Sequence, residues 1–148
     1  MSRPPRTAVR AVILHQDRLL LVNAYAGRTD LWCAPGGGVE AHASLHDNLI
    51  REVFEETGLT ICVGTLCLVN EFHDVERDFH QIDIYFHASI TQGTLDPDWA
   101  DPEGIVTHRR WVKKDQAQDM HVKPDALIQA AWGEAGMMLY DPLEPIIR

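Results

Sequence analysis

The sequence predicts an α/β fold in which a mixed β-sheet lies between helices. Two observations carry this expectation. Most of the chain from Thr7 to Val112 breaks into short β-prone, apolar runs, whereas helical signals gather at 44–58 and 123–132. The length sets the scale: 148 residues, 45% hydrophobic and 24% charged, can bury one sizeable core but would be cramped as two full domains, so residues 1–148 are expected to form a single domain.

Taken in order, Thr7 to Leu14 and Leu19 to Asn23 read as a hairpin closed by the His15-Gln16-Asp17-Arg18 turn, with a heavily apolar second strand. Leu31 to Ala34 reads as a short strand feeding Pro35 and a glycine loop, Gly36-Gly37-Gly38, where missing side chains permit close approach. Ser44 is a natural N-cap with Asp47 three residues on, and Gly58 is a natural stop, so one helix is expected between them. Leu45, Leu49 and Val53 recur at i+4, Ile50 and Phe54 widen that stripe, and the glutamates take the remaining surface. Thr60 to Val69 is β-prone. His80 to Ile90 alternates, with Ile82, Ile84, Phe86, Ala88 and Ile90 expected to face core, while Gln81, Asp83, Tyr85, His87 and Ser89 face solvent or line a cleft. The polar segment 71–78 between these strands reads as a mobile loop, and the stretch after Gly93 is irregular as far as Gly104. His108 to Val112 reads as a strand, and Lys123-Pro124-Asp125 as the start of a helix through Trp132. The tail 133–148 is apolar enough to pack on the core or on a partner subunit, as in a homodimer.

Composition narrows the function. A formal charge of −9 argues against a nucleic-acid polymer as ligand, which needs a basic stripe, while leaving room for a small anion whose charge metal ions offset. Cys33, Cys62 and Cys67 fit neither a disulfide framework nor a zinc pattern, and reduced core residues are the expectation. No signal peptide and no apolar run approaching the ~20 residues of a membrane span is recognisable, so the expected location is the cytoplasm.

The chemistry concentrates at Glu52, Glu55 and Glu56. Their spacing puts three carboxylates within one helical sector behind the glycines. Two like charges ~4 Å apart at an effective dielectric near 20 cost about 4 kcal/mol, so such a cluster requires cations or wide solvent exposure. Hard oxygen donors suit Mg²⁺ or Mn²⁺, with substrate phosphates completing the shell; the bland alternative is a solvated acidic face helped by an i,i+4 pair between Arg51 and Glu55. Other motifs fail on residues. The glycine run lacks the Lys-Ser/Thr of a P-loop and the G-x-G-x-x-G spacing, His42 and His46 are not joined by the glutamate of a zinc-protease motif, and no nucleophile elbow is present.

Residues 37–59 resemble the Nudix box, which runs Gly, five residues, Glu, seven residues, then Arg-Glu-apolar-any-Glu-Glu-any-Gly-apolar. Gly37, Arg51, Glu52, Val53, Glu55, Glu56, Gly58 and Leu59 match it, and Ala43 stands where the first glutamate belongs. The resemblance extends more weakly over about 7–132 and implies a Nudix-like α/β/α sandwich. It implies a hydrolase that cleaves the pyrophosphate bond of a nucleoside diphosphate linked to another moiety, a small-molecule nucleotide substrate. It further implies Glu52 and Glu56 as main metal ligands, joined by the Gly37 carbonyl and Glu55. Arg51 would orient the glutamates, and Glu55, Glu52 or a loop acid such as Glu103 would serve as base. Ala43 removes the expected partner of Arg51, a place that Glu40 or Glu55 could take. It also motivates the alternative of a catalytically impaired nucleotide-binding or regulatory domain. An isomerase acting on an isoprenoid diphosphate lacks recognisable catalytic residues here.

Overall fold

In the computed structural model, which describes residues 1–147, strand β1 (Arg6–His15) is the spine of the sheet. Ala8, Val9, Ala11, Val12 and Ile13 are all buried, because this strand is covered on both faces. It runs antiparallel to β2 (Arg18–Asn23) and parallel to β6 (Phe79–Gln92), the latter in register from Arg6 opposite Gln81 to Ile13 opposite Ala88. With β3 (Trp32–Cys33), β5 (Thr60–Asp74) and β8 (Leu139–Pro145), the order across the sheet is β3-β2-β1-β6-β5-β8. Two short strands attach beside this path, β4 (Gly36–Gly38) to β1 and β7 (Arg109–Val112) to β2. Parallel β1–β6 and β5–β8 pairs among antiparallel ones make the sheet mixed.

Two apolar clusters form, one on each face. Helix α1 (Leu45–Thr57) presses Leu49 and Val53 onto Val9, Ala11, Ile13, Leu20 and Phe86. Each such side chain removed from water contributes roughly 1.5–3 kcal/mol. Across the sheet, the short helices α2 (Lys114–Gln118) and α3 (Leu127–Trp132) cover Val12, Leu19, Leu21, Leu68 and Tyr85 with Ala117, Leu127, Ala130 and Ala131. The result is an α/β/α sandwich, as expected. Among the described residues no helix is long and apolar enough to cross a membrane.

Several elements differ from expectation. The first hairpin turns on Gln16 and Asp17 alone, both with positive φ, so its strands extend to His15 and Arg18. The glycine run is a strand rather than a loop, because Ala8, Val9 and Arg10 of β1 pair with Gly38, Gly37 and Gly36. Segment 71–74 continues β5 and Phe79 and His80 begin β6, leaving a tight turn where a mobile loop was anticipated. On β6 the two sets divide as expected, with Ile84, Phe86, Ala88 and Ile90 in the cluster under α1 and Gln81, Asp83 and Tyr85 lining a cleft; what differs is depth, since those three are buried while Ile82, Ile84 and Ile90 are half-buried. Phe54, placed by pattern in the apolar stripe of α1, is 47% exposed and meets the edge of Trp99 instead. Cys62 is exposed, so only Cys67 is a fully buried thiol, and all three are free. Helix α3 starts at Leu127, past a cis Lys123–Pro124 bond, and the apolar tail is strand β8, paired with β5 of the same chain.

Helix α1 ends as its sequence dictates. Ser44 Oγ accepts the Asp47 N–H at 2.9 Å, and Gly58 adopts φ 76° with its N–H bonded to the Phe54 carbonyl. A β-carbon at Gly58 would lie 2.8 Å from Trp99, whereas Gly104, at φ 71°, has open space around it. Both Gly58→Ala and Gly104→Ala should lose ~1–2 kcal/mol to the left-handed backbone. Gly58→Ala should lose measurably more in urea unfolding because Trp99 must also shift, and equal losses would show that the contact is unimportant.

Candidate metal centre and adjoining cleft

The site forms where β4 runs beneath the glutamate face of α1. Side chains at 36 and 37 could not be accommodated there: a β-carbon on Gly36 would lie 2.8 Å from the Arg10 backbone, and one on Gly37 would collide with the Glu52 carboxylate. The glycines therefore let a bare backbone edge meet a row of acids. The Gly36 N–H donates to Glu56 Oε1 at 2.7 Å, fixing the last glutamate to the strand.

One carboxylate oxygen from each of Glu52, Glu55 and Glu103 lies within 4.8 Å of the others. Glu52 is buried, Glu55 half-buried and Glu103 exposed. Glu103 arrives from the irregular stretch after β6, and that stretch is tied down at two points. Trp99 Nε1 donates to the Glu55 carbonyl at 2.8 Å. Asp101 accepts the backbone N–H groups of Glu103 at 3.0 Å, Ile105 at 3.2 Å and Val106 at 2.9 Å. Arg109 adds a bond from Nε to the Glu56 carbonyl. Glu56 is not one of the three clustered acids; it faces Gly36 and feels the Arg10 guanidinium.

Arg51 lies among the acids as expected, with Nη1 3.0 Å from Glu52 and 3.4 Å from Glu55, and Nη2 3.8 Å from Glu40. Both replacement partners anticipated for it are thus within reach. Its best-placed neutral partner was not anticipated: Asn48 Oδ1 accepts from Nη2 at 3.0 Å. Asn48, Arg10, Trp99, Asp101 and Arg109 all escaped sequence reading. Asn48 carried one legible signal, a polar residue between Leu45, Leu49 and Val53 on the inward side of the helix.

Electrostatics make the centre short of positive charge. Burial pushes the Glu56 carboxyl up to about 8, outweighing the opposing pull of Arg10 and the Gly36 N–H; Asp101 and Glu52 add to the rise. Burial likewise raises Glu52 above the ordinary carboxylate range in spite of Arg51. Arg10 keeps its charge although buried, held by Asp83 and, more weakly, Glu56. A donor set of hard carboxylate oxygens this closely spaced fits a hard divalent cation.

Beside these acids lies a cleft of ≈ 260 Å³ whose lining includes Gly36, Gly37, Gly38, Glu56 and Glu103. Its floor holds the buried polar residues of β6, where Gln81 Nε2 donates to Asp83 Oδ1 at 2.7 Å. Tyr25, Phe72 and Phe79 supply aromatic walls. The tail contributes Ile146 and Ile147, held by the Ile146 N–H to the His73 carbonyl at 2.9 Å and by a bond from the Tyr25 hydroxyl to the Ile147 carbonyl. Trp32 is 4% exposed and donates its indole N–H to the Thr29 carbonyl, so it is a packing residue. His46 stands edge-on to Phe86 and not in a metal shell.

Raised carboxylate values have a definite sign. Native Glu56 retains its proton up to about 8, whereas in the unfolded chain it ionises near its ordinary value, so its contribution to metal-free stability falls as pH rises between them. Glu52 shifts in the same direction. Metal-free protein should therefore unfold at lower urea concentration at pH 8 than at pH 5.5. Glu56→Gln should flatten that dependence, and an unchanged slope in the variant would refute the assignment.

Comparison with known proteins agrees with this architecture. The family model of the NUDIX domain matches residues 4–132. Diphosphoinositol polyphosphate phosphohydrolase 3-beta of Bos taurus is 31% identical over 102 residues, covering 69% of this chain and 58% of that protein, so the chain spans little more than half the length of this curated relative. Among solved structures, a MutT protein from Bacillus halodurans superposes with a TM-score of 0.71 at 23% identity, covering 93% of this chain and 88% of the other. An ADP-ribose pyrophosphatase from Streptococcus suis gives 0.63 at 20% identity, covering 95% and 100%. Both structural likenesses speak to the fold. The match over 4–132, on a sandwich whose glycine strand meets Glu52 and Glu56 of one helix, makes this chain a member of the Nudix family.

Proposed function

We propose that this protein is a Mg²⁺- or Mn²⁺-dependent hydrolase cleaving the pyrophosphate bond of a nucleoside diphosphate linked to another moiety. The observation that carries this reading is the meeting of Glu52, Glu55 and Glu103 within 4.8 Å beside a cleft that Glu103 also lines. Glu52 and Glu56, with Glu55 and the Gly37 carbonyl, are the groups that would hold the ions. A bound divalent ion supplies charge neutralisation on phosphate oxygens and lowers the pKa of a water. The chain does the rest. Arg51 keeps Glu52 and Glu55 on one side of the helix. Glu103, exposed and without an ion-pair partner among the described residues, is the acid freest to accept the attacking water's proton. As the new P–O bond forms, the bridging P–O bond breaks and the leaving phosphate departs as an anion.

The cleft favours a nucleotide over the inositol polyphosphates in the relative's name. Its lining cations Arg6, Arg10 and Lys123 stand among the acids Asp83 and Glu103 and the buried Glu56. A ring bearing many phosphates needs a strongly positive surround, whereas an uncharged ring on one diphosphate suits aromatic walls and the Gln81–Asp83 pair. Three free thiols accord with a reducing, cytoplasmic setting. The competing reading, binding without turnover, rests on Ala43 alone.

Glu52→Gln should lower turnover by at least ~10²-fold while leaving the unfolding midpoint near that of the parent; unchanged turnover would refute the assignment. A panel of nucleotide sugars, dinucleoside polyphosphates, ADP-ribose, nucleoside triphosphates and diphosphoinositol polyphosphates, read by product with and without chelator, should give metal-dependent products from nucleotides. Product from the inositol compounds alone would overturn the substrate class, and binding without any product would favour the impaired domain.

A further inference from the structure

We propose that Asn48 is the positioning residue of this site, performing from the first turns of α1 the bracing that Ala43 cannot. This rests on the hydrolase reading above for its catalytic consequence, though not for its geometry. Asn48 is 1% exposed, unusual for a carboxamide on a helix, and every polar atom of its side chain is engaged. Its Oδ1 accepts twice, from the Glu40 N–H at 2.8 Å and from Arg51 Nη2 at 3.0 Å. Its Nδ2 group is directed at three carbonyls, Ser44 at 2.9 Å, Ala43 at 3.2 Å and Glu40 at 3.3 Å.

Those partners belong to two structures that the site must keep in register. One is the turn 40–44, which leaves the glycine strand through His42 at a positive φ of 72° and then enters α1. The other is the Arg51 guanidinium. With Nη2 fixed on Asn48, Nη1 is aimed at Glu52 and Glu55, two of the three clustered acids. A single amide thus sets the exit of β4 and the direction of Arg51 together. Neither Glu40, 3.8 Å from Arg51 with its side chain 71% exposed, nor the methyl group of Ala43 can do both. An aspartate at 48 would still accept from Arg51 but could not donate to the three carbonyls. An alanine would do neither, and a glutamate at 43 would bring an acceptor to the same turn.

The experiment uses the full chain and Mn²⁺ alone, with free ion counted by electron paramagnetic resonance. Asn48→Ala should weaken Mn²⁺ binding at least tenfold and raise the apparent metal KM more than it lowers kcat. Asn48→Asp should fall between it and the parent. Adding Ala43→Glu to Asn48→Ala should recover most of the lost affinity. Parent-like Mn²⁺ affinity in Asn48→Ala, or no recovery in the double variant, would overturn the proposal. A readout independent of metal accompanies this: the Arg51 guanidinium hydrogens should exchange faster with solvent in Asn48→Ala while the α1 backbone amides stay protected. If the parent binds no Mn²⁺, the hydrolase reading falls, and the guanidinium exchange still decides whether Asn48 positions Arg51. Should Asn48→Ala not fold, Asn48→Asp and Asn48→Ser carry the same comparison.

Discussion

Acids held together against their own repulsion are the constraint on which this molecule turns. Glu52 and Glu56 are buried on α1, and Glu55 and Glu103 stand beside them, with Arg51 and Arg10 as the cations at hand. In bulk water such a group would spread. Here the apolar side of the same helix, Leu49 and Val53, is locked into the sheet, which holds the buried Glu52 and Glu56 in place. Burial then answers part of the repulsion by raising Glu56 until it holds its proton near neutrality, a state that a divalent ion would reverse.

The sheet exists in a form that serves this crowding. Strand β1 carries β4 on its flank, so the glycine backbone is presented as a straight edge under the helix, and the Gly36 N–H reaches Glu56. Parallel pairing of β1 with β6 brings Asp83 alongside Arg10, which in turn faces Glu56. Gln81, Asp83 and Tyr85 of β6 are buried where they line the cleft. The irregular stretch after β6 is anchored by Trp99 and Asp101, which is how an exposed acid far along the chain joins the three-carboxylate group.

The tail gives the cleft a wall outside the region the family model matches. Strand β8 pairs with β5, and Ile146 and Ile147 follow it to the rim, fixed by His73 and Tyr25. The cleft wall is therefore built from parts far apart along the chain: a loop after β2, the inner residues of β6, and the last described residues.

The amino-acid sequence alone determined helix α1 with both its ends, the first hairpin, the α/β class and the box of glycines and glutamates. Each depends on local chemistry: a serine cap, a left-handed glycine, i+4 spacing, alternating strands. Only the tertiary structure decided that Gln81, Asp83 and Tyr85 of β6 line a cleft and not solvent, that the glycines pair as a strand, that Glu103 joins Glu52 and Glu55, and that Asn48 holds Arg51. These depend on what lies opposite a residue, and a neighbour separated by many positions leaves no periodic trace in the chain. The tail illustrates the division. Its apolar residues suggested that it would be covered, yet Met138, Tyr140 and Leu143 are exposed, and what holds the strand is backbone pairing with β5 of the same chain, which composition does not encode.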